Sequence, residues 1–155
     1  MPLEVERKFL VAGNAWRAET TASARIRQGY LVANAHLTVR IRTKDDAAFI
    51  TVKGETRGIA RAEYEYAIPL AEANEMLEAL CQPPLVEKRR HTVVYAGVIW
   101  EVDEFFAQNV PLVLAELERE DAADIIDLPP WIGQEVTGDA RYTNSNLARQ
   151  PYSTW

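Results

Sequence analysis

The 155-residue chain is expected to fold as a mainly β (α+β) domain, an eight-stranded antiparallel closed barrel with a few packing helices. Three observations predict this. Short β-type stretches recur with turn residues between them, helical stretches are few, and charged residues sit at alternate positions of nearly every strand-like stretch. Residues two apart on a strand share a face, so the alternation sorts charged from apolar side chains.

The strand stretches lie near 2–11, 25–33, 36–44, 47–55, 61–69, 84–96, 98–106 and 112–119. Asn34, Asp45-Asp46, the segment from Gly54 to Gly58, and Gly97 provide turn chemistry, which makes most connections hairpins and the sheet antiparallel. Residues 71–81, AEANEMLEALC, are strong helix formers downstream of Pro69 and predict a helix. A short helix is expected over 120–126, stopping before Pro129-Pro130. A terminal helix is expected over 143–149 with a Thr or Asn cap, and one turn over 13–18. Neither internal repeats nor low-complexity segments divide the chain, so residues 1–155 are expected to form a single domain.

Composition narrows the function classes. A net charge of −6 argues against a surface that holds long nucleic acid by bulk electrostatics. It leaves room for a concentrated basic site, and Arg40 with Arg42, and Lys88 with Arg89 and Arg90, are such concentrations. No apolar run is long enough to span a membrane, and Glu4 and Glu6 interrupt any signal-peptide pattern. The single cysteine, Cys81, excludes an internal disulfide and is expected in the core. A cytoplasmic protein without membrane or nucleic-acid partners is expected. His36 and His91 lack metal-ligand spacing, no phosphate-binding glycine loop of the P-loop type occurs, and no serine nucleophile motif stands out. Trp131 after Pro129-Pro130 is expected to anchor packing.

The charges that alternate are also segregated by sign. Arg40 and Arg42 alternate with Val39 and Ile41, Thr51 and Lys53 with Ile50 and Val52, and Lys88 and Arg90 follow Val86. Glu63 and Glu65 alternate with Tyr64 and Tyr66, Glu101 and Asp103 with Trp100 and Val102, and Glu116 and Glu118 with Ala115 and Leu117. Glu4, Glu6 and Lys8 share one face of the first strand. Like-charged pairs on one face repel one another unless an opposite charge compensates. Were the charged set to point into a closed barrel, cations from several walls would surround a polyanion there. Carboxylates of the other walls would hold a hard cation such as Mg²⁺ or Mn²⁺. The apolar set (Val5, Phe9, Val39, Ile41, Val52, Ala115, Leu117) would face outward, with the helices at 71–81 and near the C-terminus to cover it.

These residues carry a likeness to a known family. The chain resembles the CYTH superfamily, the triphosphate tunnel metalloenzymes, and among them the short single-domain bacterial type. The E-x-E-x-K pattern stands as Glu4, Glu6 and Lys8, followed in order by RQGYL at 27–31, VRIR at 39–42, TVKG at 51–54 and RAEYEY at 61–66. VEKRRH at 86–91, WEVDEF at 100–105, LAELE at 114–118 and EVTGDARYTNSNLA at 135–148 complete the set.

The resemblance implies an eight-stranded tunnel and divalent-metal-dependent chemistry on a small-molecule triphosphate. By position, Glu4, Glu6, Glu116 and Glu118 fall on the family's metal-binding carboxylates. Lys8, Arg40, Arg42, Lys53, Lys88 and Arg90 fall on its phosphate-binding cations, and Arg141 on a basic position near the tunnel mouth. Lys8, Lys88, Glu116 and Glu118 make the catalytic group, with Glu63, Glu65, Glu101 and Asp103 in support. Tyr30 is either a tunnel residue or core. The leading function is hydrolysis of inorganic tripolyphosphate to pyrophosphate and phosphate. The alternatives are an adenylate cyclase of class IV type or a triphosphatase acting on thiamine triphosphate or nucleoside triphosphates, and beyond these a non-catalytic polyphosphate- or nucleotide-binding module. A homodimer is the family-level expectation. Arg40, Arg42, Lys53 and Arg90 are expected to repel one another in the empty tunnel.

Overall fold

The computed structural model describes residues 3–58, 60–118 and 126–155, with side chains from Glu6 onward. The strands are β1 (Leu3–Val11), β2 (Thr20–Ala33), β3 (Thr38–Lys44), β4 (Ala47–Lys53), β5 (Ala60–Ala67), β6 (Val86–Tyr95), β7 (Val98–Phe105), β8 (Val113–Glu118) and β9 (Ile132–Glu135). The helices are α1 (Leu70–Ala79) and α2 (Asn144–Arg149). The segment 120–126, where a short helix is expected, lies outside the described residues save for Ile126.

The strands pair in the order β5-β4-β3-β2-β6-β7-β8-β1-β9, and β1 pairs again with β5. That last ladder is short: Leu3, Glu4 and Val5 oppose Ala62, Arg61 and Ala60. It brings the eight main strands back on themselves as a curled, all-antiparallel wall. β9 is the ninth strand, and it docks on β1 beyond the β5 contact, with Val11 opposite Ile132. The sequence does not flag it because four residues, IGQE, show neither alternation nor β-branched enrichment. β2 is also longer than expected, because TTASA pairs with β6 despite its small polar character.

Hairpin chemistry sets the register. Tyr95 and Val98 close the β6–β7 hairpin around Ala96 and Gly97, whose φ values are 50° and 75°. Two successive positive φ angles give the strand-matching two-residue turn, and Gly97 adopts its angle without steric penalty. In the β3–β4 turn Asp45 takes φ 51°, and its carboxylate accepts the Arg25 backbone N–H at 3.0 Å.

Of the outward apolar set, Phe9, Ile41, Ala115 and Leu117 are covered, on two sides, whereas Val39 and Val52 are half-buried and the Val5 side chain lies outside the described residues. α1 lays Ala73 and Leu77 on Ile41 and Ala48 of β3 and β4, and Cys81 joins that cluster. Gly29 on β2 permits this close approach: a Cβ there would stand 2.8 Å from Cys81 Cβ and 2.7 Å from Leu85 Cδ2. On the other side Phe9, Trp16, Trp100, Ala115, Leu117 and Trp131 form one cluster. Trp131 is the packing anchor expected of it, edge-on to Trp100 at 5.8 Å between centroids. Trp16 comes from a 3-10 turn, Ala15–Glu19, where one turn was expected. Each aromatic pair adds about 0.5–1.5 kcal/mol beyond the area it buries.

α2 does something else. Leu147 and Ala148 pack with Tyr142 against Tyr30, Val86, Phe105 and Leu114. Val86, Phe105 and Leu114 are in phase with Lys88, Asp103 and Glu116 along β6, β7 and β8, so they belong to the inward face. The C-terminal helix therefore does not cover the outside of the wall. It closes one end of the tunnel from within, because the inward face turns apolar there.

Candidate active site

Strand register places the inward residues in tiers. Arg40 lies opposite Tyr30 and Thr51, and Arg42 opposite Gln28 and Phe49. Lys53 lies opposite Glu63, Arg90 opposite Asp103, Glu116 opposite Glu101 and Lys8, and Glu118 opposite Glu6. The apolar end held by α2 forms the floor. Buried ionic groups come next, and the more open carboxylates and cations stand at the rim.

The result is a cavity of 640 Å³. Its cationic lining is Arg40, Arg42 and Lys44 of β3, Lys53 of β4 and Arg90 of β6. Its carboxylates are Glu6 of β1, Glu63 and Glu65 of β5, and Glu116 and Glu118 of β8. Asn144, at the start of α2, contributes from the closed end. A neighbouring cavity shares Lys44, Arg90, Glu116 and Glu118 and adds Glu101. Lys8 and Tyr30 line a smaller recess with Arg40, Thr51 and Lys53. Tyr30 is thus both core and lining. Glu4 lies opposite Arg61 in the backbone ladder, and its side chain is outside the described residues.

Two sequence-expected residues stand behind the lining. Asp103 and Lys88 are both fully buried, with Lys88 Nζ 2.6 Å from Asp103 Oδ2. Lys88 also donates to Asn144 Oδ1 at 3.0 Å, and Lys8 Nζ donates to the Tyr142 carbonyl at 3.1 Å. These two lysines pin the α2 region to the tunnel floor. Arg141 is exposed, pairs with Asp139 at 2.7 Å, stacks on Tyr142 and Trp155, and lines none of these cavities.

The cations fall into two groups. Arg90 is held by carboxylates on three sides: Asp103 by Nε at 2.8 Å, Glu101 at 2.8 Å and Glu116 at 3.6 Å. It is therefore a compensated cation, although it still repels Arg42 and Lys88. Its register opposite Asp103 compensates it, which the sequence could not reveal. Burial disfavours the Arg90 charge, yet Asp103 and Glu116 outweigh burial and lift its pKa well above the ordinary value. Arg42 behaves oppositely. Burial pushes its pKa down, and the nearby Arg40 and Arg90 push it further. Arg40 donates to Thr51 Oγ1 at 3.1 Å, which in turn donates to Glu65 Oε1 at 3.0 Å.

The carboxylates follow the same logic. Burial opposes ionisation of Glu116, but Lys8 at 3.5 Å and Arg90 prevail and hold its pKa down to about 2. Burial likewise opposes the Asp103 charge, and Arg90 with Lys88 drives its pKa far below the carboxylate range. For Lys88, burial outweighs Asp103, and repulsion from Arg90 and Arg42 adds to it, so its pKa falls below that of an ordinary lysine.

Among the described residues, no three His, Cys, Asp or Glu side chains are close enough together to cage an ion unaided. The donor set still suits a hard cation. Glu6 and Glu118 sit opposite one another across β1 and β8, and Glu116 lines the same cavity. Mg²⁺ in phosphate sites is typically bound by one or two carboxylates plus substrate oxygens, not by an all-protein cage.

Lys44, Asn144, Gln28 and Arg61 are among the lining or supporting residues that escaped the sequence analysis. Lys44 continues the two-residue spacing of Arg40 and Arg42, so alternation alone marks it. Asn144 was legible only as a cap residue. Arg61, like Lys44, continues a two-residue spacing, that of Glu63 and Glu65, whereas Gln28 carries no charge to reveal it.

Neither histidine lines the cavities described above. His91 stacks on Trp16 at 4.8 Å and shares a hydrogen bond with Glu104 at 3.2 Å, and His36 lies on the surface near Glu55.

Comparison with known proteins agrees with this architecture. The chain is 46% identical over 155 residues to an inorganic triphosphatase of Acetivibrio thermocellus, covering 100% of this chain and 99% of that one. It is 39% identical over 149 residues to an inorganic triphosphatase of Nitrosomonas europaea, covering 94% and 96%. Its fold is similar to the crystal structure of the inorganic triphosphatase NE1496, with a TM-score of 0.69 at 36% identity over 96% and 95% of the two chains. The CYTH domain profile matches residues 2–152. With its inward charges, closed floor and curled antiparallel wall, the chain belongs to the CYTH domain family.

Proposed function

We propose that the protein is a triphosphatase that hydrolyses inorganic tripolyphosphate to pyrophosphate and phosphate inside the tunnel. The observation that carries this is a single cavity in which cations of β3, β4 and β6 face carboxylates of β1 and β8. The triphosphatase names of the relatives support it. Arg40, Arg42, Lys53 and Arg90 bind the phosphate chain, and Lys8 reaches it from the smaller recess. Such cations stabilise charge that shifts along phosphoryl oxygens, which is most of what phosphoryl transfer requires.

Glu6, Glu116 and Glu118, with Glu4, would hold a divalent ion, Mg²⁺ or Mn²⁺. Such an ion neutralises phosphate charge and activates water when bound. The main cavity has no serine, cysteine or histidine in its described lining, which favours water over a covalent nucleophile. Glu116 remains ionised at neutral pH between Lys8 and Arg90, so it holds no proton to donate. Lys88 acts from behind, by holding Asp103 and Asn144 in place.

The test is a phosphate-release panel of tripolyphosphate, ATP, thiamine triphosphate and pyrophosphate, with Mg²⁺, with Mn²⁺ and with excess chelator. Metal-dependent release from tripolyphosphate, with ATP clearly poorer, is expected. Full activity in chelator removes the metal role. Faster conversion of ATP to a cyclic nucleotide replaces this reading with the cyclase.

A further inference from the structure

Gln28 is fully buried on the inward face of β2. Arg42 Nε donates to its Oε1 at 2.8 Å. An arginine Nε can only donate, so the amide atom facing it must be the oxygen, and the NH₂ group points elsewhere. That Nε2 is buried and has no hydrogen-bond partner among the described residues. A guanidinium is planar, so holding Nε fixes the plane in which its other two nitrogens lie. Arg42 itself lines the main cavity. Arg90 in the same tunnel is oriented by carboxylates, at 2.8 Å from both Glu101 and Asp103. Orientation by a carboxylate also neutralises, whereas orientation by an amide oxygen does not.

We propose that Gln28 is a positioning residue of the triphosphate site: its uncharged oxygen orients Arg42 toward the phosphate chain and leaves the arginine's charge for the substrate. The proposal rests on the triphosphatase reading and deepens it. An amide here keeps a buried cation strained by its neighbours Arg40 and Arg90, and an anionic ligand relieves that strain.

Two substitutions and a double-mutant cycle test it. Gln28→Glu keeps the shape and an acceptor for Arg42 Nε but adds a competing charge. KM for tripolyphosphate should rise about tenfold or more, the loss expected for one charge-assisted contact, with kcat changed much less. Gln28→Met keeps the volume but removes the acceptor, so kcat/KM should fall by a similar factor. In an Arg42→Ala background Gln28→Met should then cost little more, because the residue acts through Arg42. The proposal is overturned if Gln28→Glu leaves KM unchanged, or if Gln28→Met and Arg42→Ala are additive. A merely structural glutamine would lower melting temperature in both backgrounds alike and leave the KM-against-kcat split unmoved. If Gln28→Glu does not fold, the cycle with Gln28→Met decides alone. The wild type distinguishes this failure from that of the parent reading: a wild type whose melting temperature ignores tripolyphosphate, with or without Mg²⁺, overturns the triphosphatase itself.

Discussion

Arg90 and Asp103 meet as a two-point pair, Nε to Oδ1 at 2.8 Å and Nη2 to Oδ2 at 2.8 Å, with Lys88 Nζ 2.6 Å from the same Oδ2. One fully buried carboxylate thus compensates two cations. Asp103→Asn should leave both cations undercompensated and cost about 3–5 kcal/mol, the scale for breaking a buried ion pair. Urea denaturation of the empty protein would measure it. A loss under about 1 kcal/mol would mean that Glu101 and Glu116 suffice for Arg90.

Glu116 and Glu118 should separate under substitution. Glu118 is exposed at the rim, whereas Glu116 is buried and pairs with Lys8 and Arg90. Glu118→Gln should abolish metal-dependent turnover with little change in melting temperature. Glu116→Gln should abolish turnover and also lower it. Near-normal rates at saturating Mg²⁺ or Mn²⁺ would show that the substituted residue is not a ligand.

Arg42 and Arg90 should likewise part company. Arg42 is disfavoured by burial and by its cationic neighbours, so Arg42→Ala should leave the empty protein as stable or slightly more so. It should weaken tripolyphosphate binding roughly ten- to a hundredfold. Arg90→Ala should lower stability, because it leaves Asp103 and Glu101 without their partner. Melting temperatures with and without tripolyphosphate check both: the ligand-induced rise should shrink in each variant, while the empty protein melts lower only for Arg90→Ala.

Stability should fall on acidification. The folded state holds Glu116 at about 2, below its ordinary 4.5, so it binds fewer protons there than the unfolded chain. A depressed carboxylate contributes stability above the unfolded pKa and loses it as pH falls through the folded one. Asp103 acts in the same sense and further into acid. The wild type should therefore lose stability from about pH 5 downward, and Glu116→Gln should lose less over the same span. Denaturation midpoints at pH 7, 5, 4 and 3 would show it, and equal slopes would remove Glu116 from the account.

Sequence alone determined the wall and its contents. Period-two charge on β1 and β3 to β8 was enough to set Arg40, Arg42, Lys53, Glu63, Glu65, Arg90, Glu116 and Glu118 on one face, because alternation on a strand is a local property of the backbone. The same alternation put Ile41, Ala115 and Leu117 on the covered side, where they are buried. What each charge meets was decided by tertiary structure, since cross-strand register joins residues far apart in the chain. Only register made Arg90 a compensated cation opposite Asp103 and left Arg42 to an amide. Gln28 carries no charge to betray its place, and only the β2–β3 register sets it against Arg42. The terminal helix was legible as a helix, capped by Thr143, whose Oγ1 accepts the Asn146 N–H. Its position was not: Leu147 could bury its surface against either face of the wall, and the apolar tier at Val86, Phe105 and Leu114 directs it inside.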